Sequence, residues 1–161
     1  MNLMELYLLR HGIAEDRSLT GRDSDRRLTD EGREKLRRIL ERAHGAGVQP
    51  SLILSSPLRR ALETAEIAGH ALGYEGKIVR TPALTPDSSP QQVWEAVREH
   101  RSVDAILLAG HEPLFSATVA YLLGSTQEMV HFRKGALVRI DVDPSASPRG
   151  VLEWMLTAKL A

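Results

Sequence analysis

The sequence predicts a single three-layer α/β/α sandwich around a mostly parallel sheet of about five to six strands. Short apolar runs (Leu3–Leu9, Leu52–Leu54, Ala105–Ala109) alternate with longer stretches of helical periodicity. Each of those runs hands a cationic or imidazole group to the loop that follows: Arg10-His11-Gly12, Ser55-Ser56-Pro57-Leu58-Arg59 and Gly110-His111-Glu112-Pro113. The chain then closes with two apolar runs, Ala136–Val142 and Val151–Met155, joined by the turn-rich segment Pro144–Gly150. The expected order is β-α-β-α-β-α-β-α-β-β over residues 1–161, with no internal repeat, linker or second domain.

Taken in order, the first strand ends at Arg10-His11-Gly12, where glycine permits a sharp turn and close approach to a ligand. Thr29 caps a helix from Asp30 to about His44; its acidic first turn suits the helix dipole, and Leu36, Ile39, Leu40 and Ala43 share one face. After the second strand, Ser56 is expected as a helix cap with Pro57 in the first helical position. Leu58, Ala61, Leu62, Ala65, Ala68 and Leu72 then form the buried stripe. Lys77-Ile78-Val79 reads as a weak strand, and Ser89-Pro90-Gln91-Gln92 as a capping box opening a third helix. Pro113 opens the fourth, which runs to Gly124.

The 161 residues suffice for a real core, and 21 basic residues cancel 21 acidic ones, so no nucleic-acid footprint is present. The lack of cysteine excludes disulfides, a thiolate nucleophile and thiolate metal sites. No apolar stretch reaches membrane-spanning length, and Glu5 interrupts the first one. The expectation is a soluble, cytoplasmic protein that binds neither membrane nor nucleic acid.

Ligands of open α/β sheets bind at the carboxyl ends of strands, where Arg10, His11, Arg59 and His111 cluster in the chain order. A neutral histidine can attack phosphorus, and nearby arginines disfavour its imidazolium while their planar forks match phosphate oxygens. Arg59 falls in the first turn of a helix, a natural anion site, and His111 just before another. Two guanidiniums and two imidazoles supply enough positive field that no metal or cofactor is called for. Taken alone, Arg59 also reads as a solvated residue, at i, i+4 and i+7 spacing with Glu63 and Glu66. Arg60, turned away by about 100° on the helix, is expected to matter little. His44, His70, His100 and His131 read as structural or surface residues, and Arg133-Lys134-Gly135 as a solvated turn beside the pocket. Ser55-Ser56 lacks the elbow of a serine hydrolase.

Six blocks then carry a resemblance: Leu9–Gly12, Leu28–Gly32, Ser55–Ala65, Leu84–Pro86, Gly110–Pro113 and Lys134–Ala136. In this order they resemble the histidine phosphatase superfamily, which includes phosphoglycerate mutases and acid phosphatases, and more closely its small SixA-type phosphohistidine phosphatases. The resemblance implies a phosphoglycerate mutase-like fold and a phosphohistidine intermediate on His11, with Arg10, Arg59 and His111 completing the phosphate pocket. Asp23 and Arg26 match an acidic and a basic position in the loop before the first helix, and are carried over as substrate-binding residues. The implied partner is a phosphorylated protein, such as a histidine-phosphotransfer domain.

The larger relatives carry a glutamate acid/base and an insertion roofing the pocket. Between Val79 and Val93 this chain has only thirteen residues and no glutamate. Asp87, Asp23 and Glu15 remain open as the general acid. The expected function is metal-independent hydrolysis of phosphohistidine on a protein, with small phosphomonoesters as the alternative substrates.

Overall fold

The computed structural model describes residues 3–127 and 130–161. Six strands, β1 (Met4–Arg10), β2 (Leu52–Ser55), β3 (Ile78–Arg80), β4 (Ala105–Gly110), β5 (Leu137–Val142) and β6 (Gly150–Leu156), form one sheet in the order β3-β2-β4-β1-β5-β6. The first four are mutually parallel, and β5 and β6 extend the sheet antiparallel beyond β1. Among the described residues four α-helices flank it: α1 (Asp30–Gly45), α2 (Arg59–Ala71), α3 (Pro90–Glu99) and α4 (Leu114–Leu122). Among the described residues no helix is long and apolar enough to cross a membrane.

Strand alternation divides the core into two. Leu6 and Leu8 of β1 and Ile106 and Leu108 of β4 face α3 and α4, burying Val93, Trp94, Val97, Phe115 and Val119. Tyr7, Leu9, Leu107 and Ala109 face the other way, onto Leu36, Ile39 and Leu40 of α1 and Ala65 and Ala68 of α2. The central strands are therefore apolar on both faces, which is why they read as continuous hydrophobic runs.

Capping follows the sequence at α1, where Thr29 Oγ1 accepts from Gly32 N–H at 3.0 Å, and at α3, where Ser89 and Gln92 complete the capping box. Two starts differ from expectation. Helix α2 begins at Arg59 after Leu58, without a side-chain cap, because the Ser56 hydroxyl is bonded to His111 and to Leu58 N–H. Pro113 likewise precedes α4 rather than opening it, and the Glu112 carboxylate accepts from Ser116 N–H at 2.7 Å.

Candidate active site

Sheet register brings the site together. Arg10 pairs with Gly110 across β1 and β4, so His11 and His111 leave adjacent parallel strands side by side. Their ring centres are 5.2 Å apart. Ser55 pairs with Ala109 on the other side of β4, which places Ser56 beside His111; Ser56 Oγ and His111 Nε2 are 2.8 Å apart.

The backbone around His11 is held closely. Its N–H donates to Gly110 O at 2.9 Å, and its carbonyl accepts from Gly135 N–H at 3.0 Å. A Cβ on Gly12 would lie 2.8 Å from Leu36 Cδ1 and 3.3 Å from Gly32 O, so the loop presses onto the start of α1. The His11 ring is oriented by its Nδ1, 2.7 Å from Gly12 O. A carbonyl only accepts, so Nδ1 carries the proton and the lone pair of the neutral ring sits on Nε2. Among the described residues that nitrogen has no hydrogen-bond partner, and it is not sealed from solvent.

Burial first, then the Arg60, Arg10 and Lys134 charges, push the His11 pKa down to about 4, against the carbonyl bond that favours protonation. His111, only 1% exposed, is pushed down to about 3 by burial, with His11, Arg60 and Arg10 acting in the same direction. Both imidazoles are therefore neutral at pH 7.

The cations are arranged as half-satisfied forks. Arg10 is fixed by Nη1 donating to Phe132 O at 2.7 Å. Arg60, 6% exposed, is fixed by Nη1 donating to the backbone O of Asp23 at 3.1 Å and pairing with its carboxylate at 3.2 Å. In each guanidinium one Nη is thus engaged by protein while Nε is buried with no protein partner among the described residues. Donors remain for an anion's oxygens.

The helix arginine of the site is Arg60, a correction to the expectation from sequence. Arg59 points outward, its side chain 51% exposed and 3.5 Å from Glu63, whereas Arg60 is the residue turned into the site. The physical reason is helix phase: Arg60 shares the buried face of α2 with Ala61, Thr64, Ala65 and Ala68. The periodicity could have revealed this, since Arg60 stands four and eight residues before Thr64 and Ala68. Proximity to the strand end favoured Arg59 instead.

Asp23 and Arg26 do come together, at 2.9 Å, on the 3-10 turn Asp23–Asp25 and its exit. Their visible task is to hold Arg60 and the loop, since Arg26 Nε also donates to Glu15 O at 2.7 Å. Arg26 hydrogen bonding and the Arg60 charge lower the Asp23 pKa, and the Thr85 hydroxyl lowers that of fully exposed Asp87. Both carboxylates are thereby kept ionised at neutral pH. The third carboxylate, Glu15, accepts from Arg27 N–H at 3.0 Å. Lys134 is exposed, as a solvated turn requires, but its charge reaches His11, and Gly135 beside it donates to the Arg10 and His11 carbonyls. Among the described residues no three His, Asp or Glu side chains are grouped to hold a metal ion.

Residues 6–85 match the family model of the histidine phosphatase superfamily, branch 1. An uncharacterised protein of Picosynechococcus sp. is 34% identical over 84% of this chain and 83% of its own length. The chain belongs to the histidine phosphatase superfamily. It is also 29% identical to the phosphohistidine phosphatase SixA of Escherichia coli, over 96% of this chain and 94% of that protein. The solved structure of the protein histidine phosphatase SixA complexed with tungstate superposes with a TM-score of 0.88, at 26% identity, covering 97% of this chain and 98% of that one. The phosphoglycerate mutase-like sandwich expected from the sequence is the fold of this histidine phosphatase, a phosphatase with a histidine nucleophile close to SixA.

Proposed function

We propose that this histidine phosphatase removes phosphate from phosphohistidine on a protein, using His11 as the nucleophile. The observation that carries the reading is the free Nε2 of a neutral imidazole, facing a site flanked by two partly unsatisfied guanidiniums. Nε2 attacks phosphorus as the bond to the leaving nitrogen breaks, and the phosphoryl group moves to His11. Arg10 and Arg60 stabilise the equatorial oxygens, and neutral His111 contributes a hydrogen bond rather than a charge. Water then attacks the phosphohistidine, giving inorganic phosphate and restoring neutral His11, with the water proton lost to solvent.

The proton inventory supports this substrate class. An alkyl ester leaves as an alkoxide and needs a neutral acid close to it. Asp23 and Asp87 are both held in the ionised form. A phosphohistidine can leave as an already protonated imidazole, so it does not depend on a neutral acid at Asp23 or Asp87. The short segment between β3 and α3 also leaves room for a protein surface, with Asp23, Arg26 and Lys134 at the rim to meet it. A phosphorylated protein, such as a histidine-phosphotransfer domain, is the partner this implies.

Acid-labile radiolabelled phosphate trapped on the wild type and absent from His11→Ala tests the nucleophile. A comparison of kcat/KM on a phosphohistidine protein, phosphoglycerate and sugar phosphates tests the substrate. Efficient ester hydrolysis with the phosphohistidine protein untouched overturns it.

A further inference from the structure

Thr64 lies in the second turn of α2, fully buried, four residues after Arg60. Its Oγ1 donates to Arg60 O at 2.7 Å and accepts from Gly12 N–H at 3.2 Å. The first bond is ordinary for a helical threonine, whose hydroxyl often returns to the carbonyl four residues back. The second is one the helix does not need: it crosses 52 positions of sequence to the residue following His11. Gly12 is also the residue whose carbonyl orients the His11 ring through Nδ1. One hydroxyl therefore joins the backbone that aims the nucleophile to the first turn of the helix that carries Arg60.

We propose that Thr64 is a positioning residue that sets the spacing between His11 Nε2 and the Arg60 guanidinium. This rests on the reading of His11 as the nucleophile. The Gly12 peptide N–H has no other partner among the described residues, so loss of the hydroxyl leaves a buried donor unpaired beside the nucleophile. The loop then shifts to find water, and α2 loses its tether to β1. Reacting groups displaced by about 1 Å lose roughly a hundredfold in rate. Electrostatics give a second signature. Arg60 is the leading charge lowering the His11 pKa, so a wider gap lets that pKa rise.

The test uses Thr64→Val, which keeps the shape and removes the hydroxyl, and Thr64→Ser, which keeps the hydroxyl. The expected result for Val is a fall in kcat of about tenfold or more, a KM within a few-fold of wild type, and an acidic limb of kcat/KM moved to higher pH. Ser restores all three toward wild type. Unchanged kcat and an unmoved limb in folded Thr64→Val overturn the proposal, as does equal damage from Ser and Val, which assigns the role to the methyl group. Amide hydrogen exchange of Gly12 in the wild type decides the matter even where Val does not fold: protection supports the bond, and exchange at the rate of a free amide overturns it. Phosphate labelling separates this from the underlying reading, since a wild type without acid-labile phosphate on His11 removes the nucleophile itself and leaves the Gly12 measurement intact.

Discussion

A rotation of about 100° per helical residue separates Arg59, paired with Glu63 at the surface, from Arg60, buried against Asp23. Their neighbouring positions make a direct experiment. Arg60→Ala should lower kcat by about 10²–10³-fold, the scale for losing one preorganised donor to developing charge. Arg59→Ala should change kcat by less than a few-fold and cost under about 1 kcal/mol of stability, because its half-exposed guanidinium lies 3.5 Å from a Glu63 carboxylate that Arg33 already pairs at 2.9 Å. Steady-state kinetics on both variants check this; the reverse ranking would return the role to Arg59. Proton uptake by the nucleophile gives a second test. The nucleophile must be neutral, and burial with nearby cations sets His11 at about 4. The acidic limb of kcat/KM should therefore fall well below the 6.5 of an ordinary histidine, and Arg60→Ala should move it upward by removing a positive charge.

Between elements, the decisive contact is where the loop after β1 crosses the first turn of α1. A Cβ built on Gly32 would sit 2.3 Å from Ile13 O and 2.9 Å from Ile13 N, both backbone atoms that cannot rotate away. Gly32→Ala should thus displace the loop carrying His11, lowering both the unfolding temperature and kcat. Ser89→Ala is the contrast. It removes the capping box of α3, on the opposite face of the sheet from α1 and α2, and should cost about 1 kcal/mol with kcat unchanged. Urea unfolding and turnover measured on the two variants separate strain at the site from a general loss of helix stability. An active, normally stable Gly32→Ala would show that the loop is not held as tightly as the contact demands.

For the whole molecule, the two buried neutral imidazoles create an acid liability. His11 and His111 have folded-state pKa values near 4 and 3, against 6.5 when unfolded. Between about pH 6.5 and those values the unfolded chain binds more protons than the native one, so stability falls with acidification across that window and is fully present above it. The loss should reach a few kcal/mol by pH 4. Urea midpoints at pH 7.5 and 4.5 measure it, and replacing both histidines with residues that do not titrate should flatten the dependence. An unchanged slope in that double variant would assign the acid sensitivity to other groups.

The sequence alone determined the α/β/α architecture, because apolar runs of strand length and amphipathic helical stretches report burial residue by residue. It also marked the strand ends as the candidate site, since Arg10-His11-Gly12 and Gly110-His111 stand immediately after such runs. Tertiary structure decided what depends on register and rotation. The pairing of Arg10 with Gly110 set the two imidazoles beside each other. The phase of α2 turned Arg60 inward and Arg59 outward, and bonds between residues distant in sequence gave Ser56 to His111 and Thr64 to Gly12. A one-residue step along a helix costs nothing in local periodicity but reverses which side chain is buried beside the imidazoles, and only the packed neighbours record which way it fell.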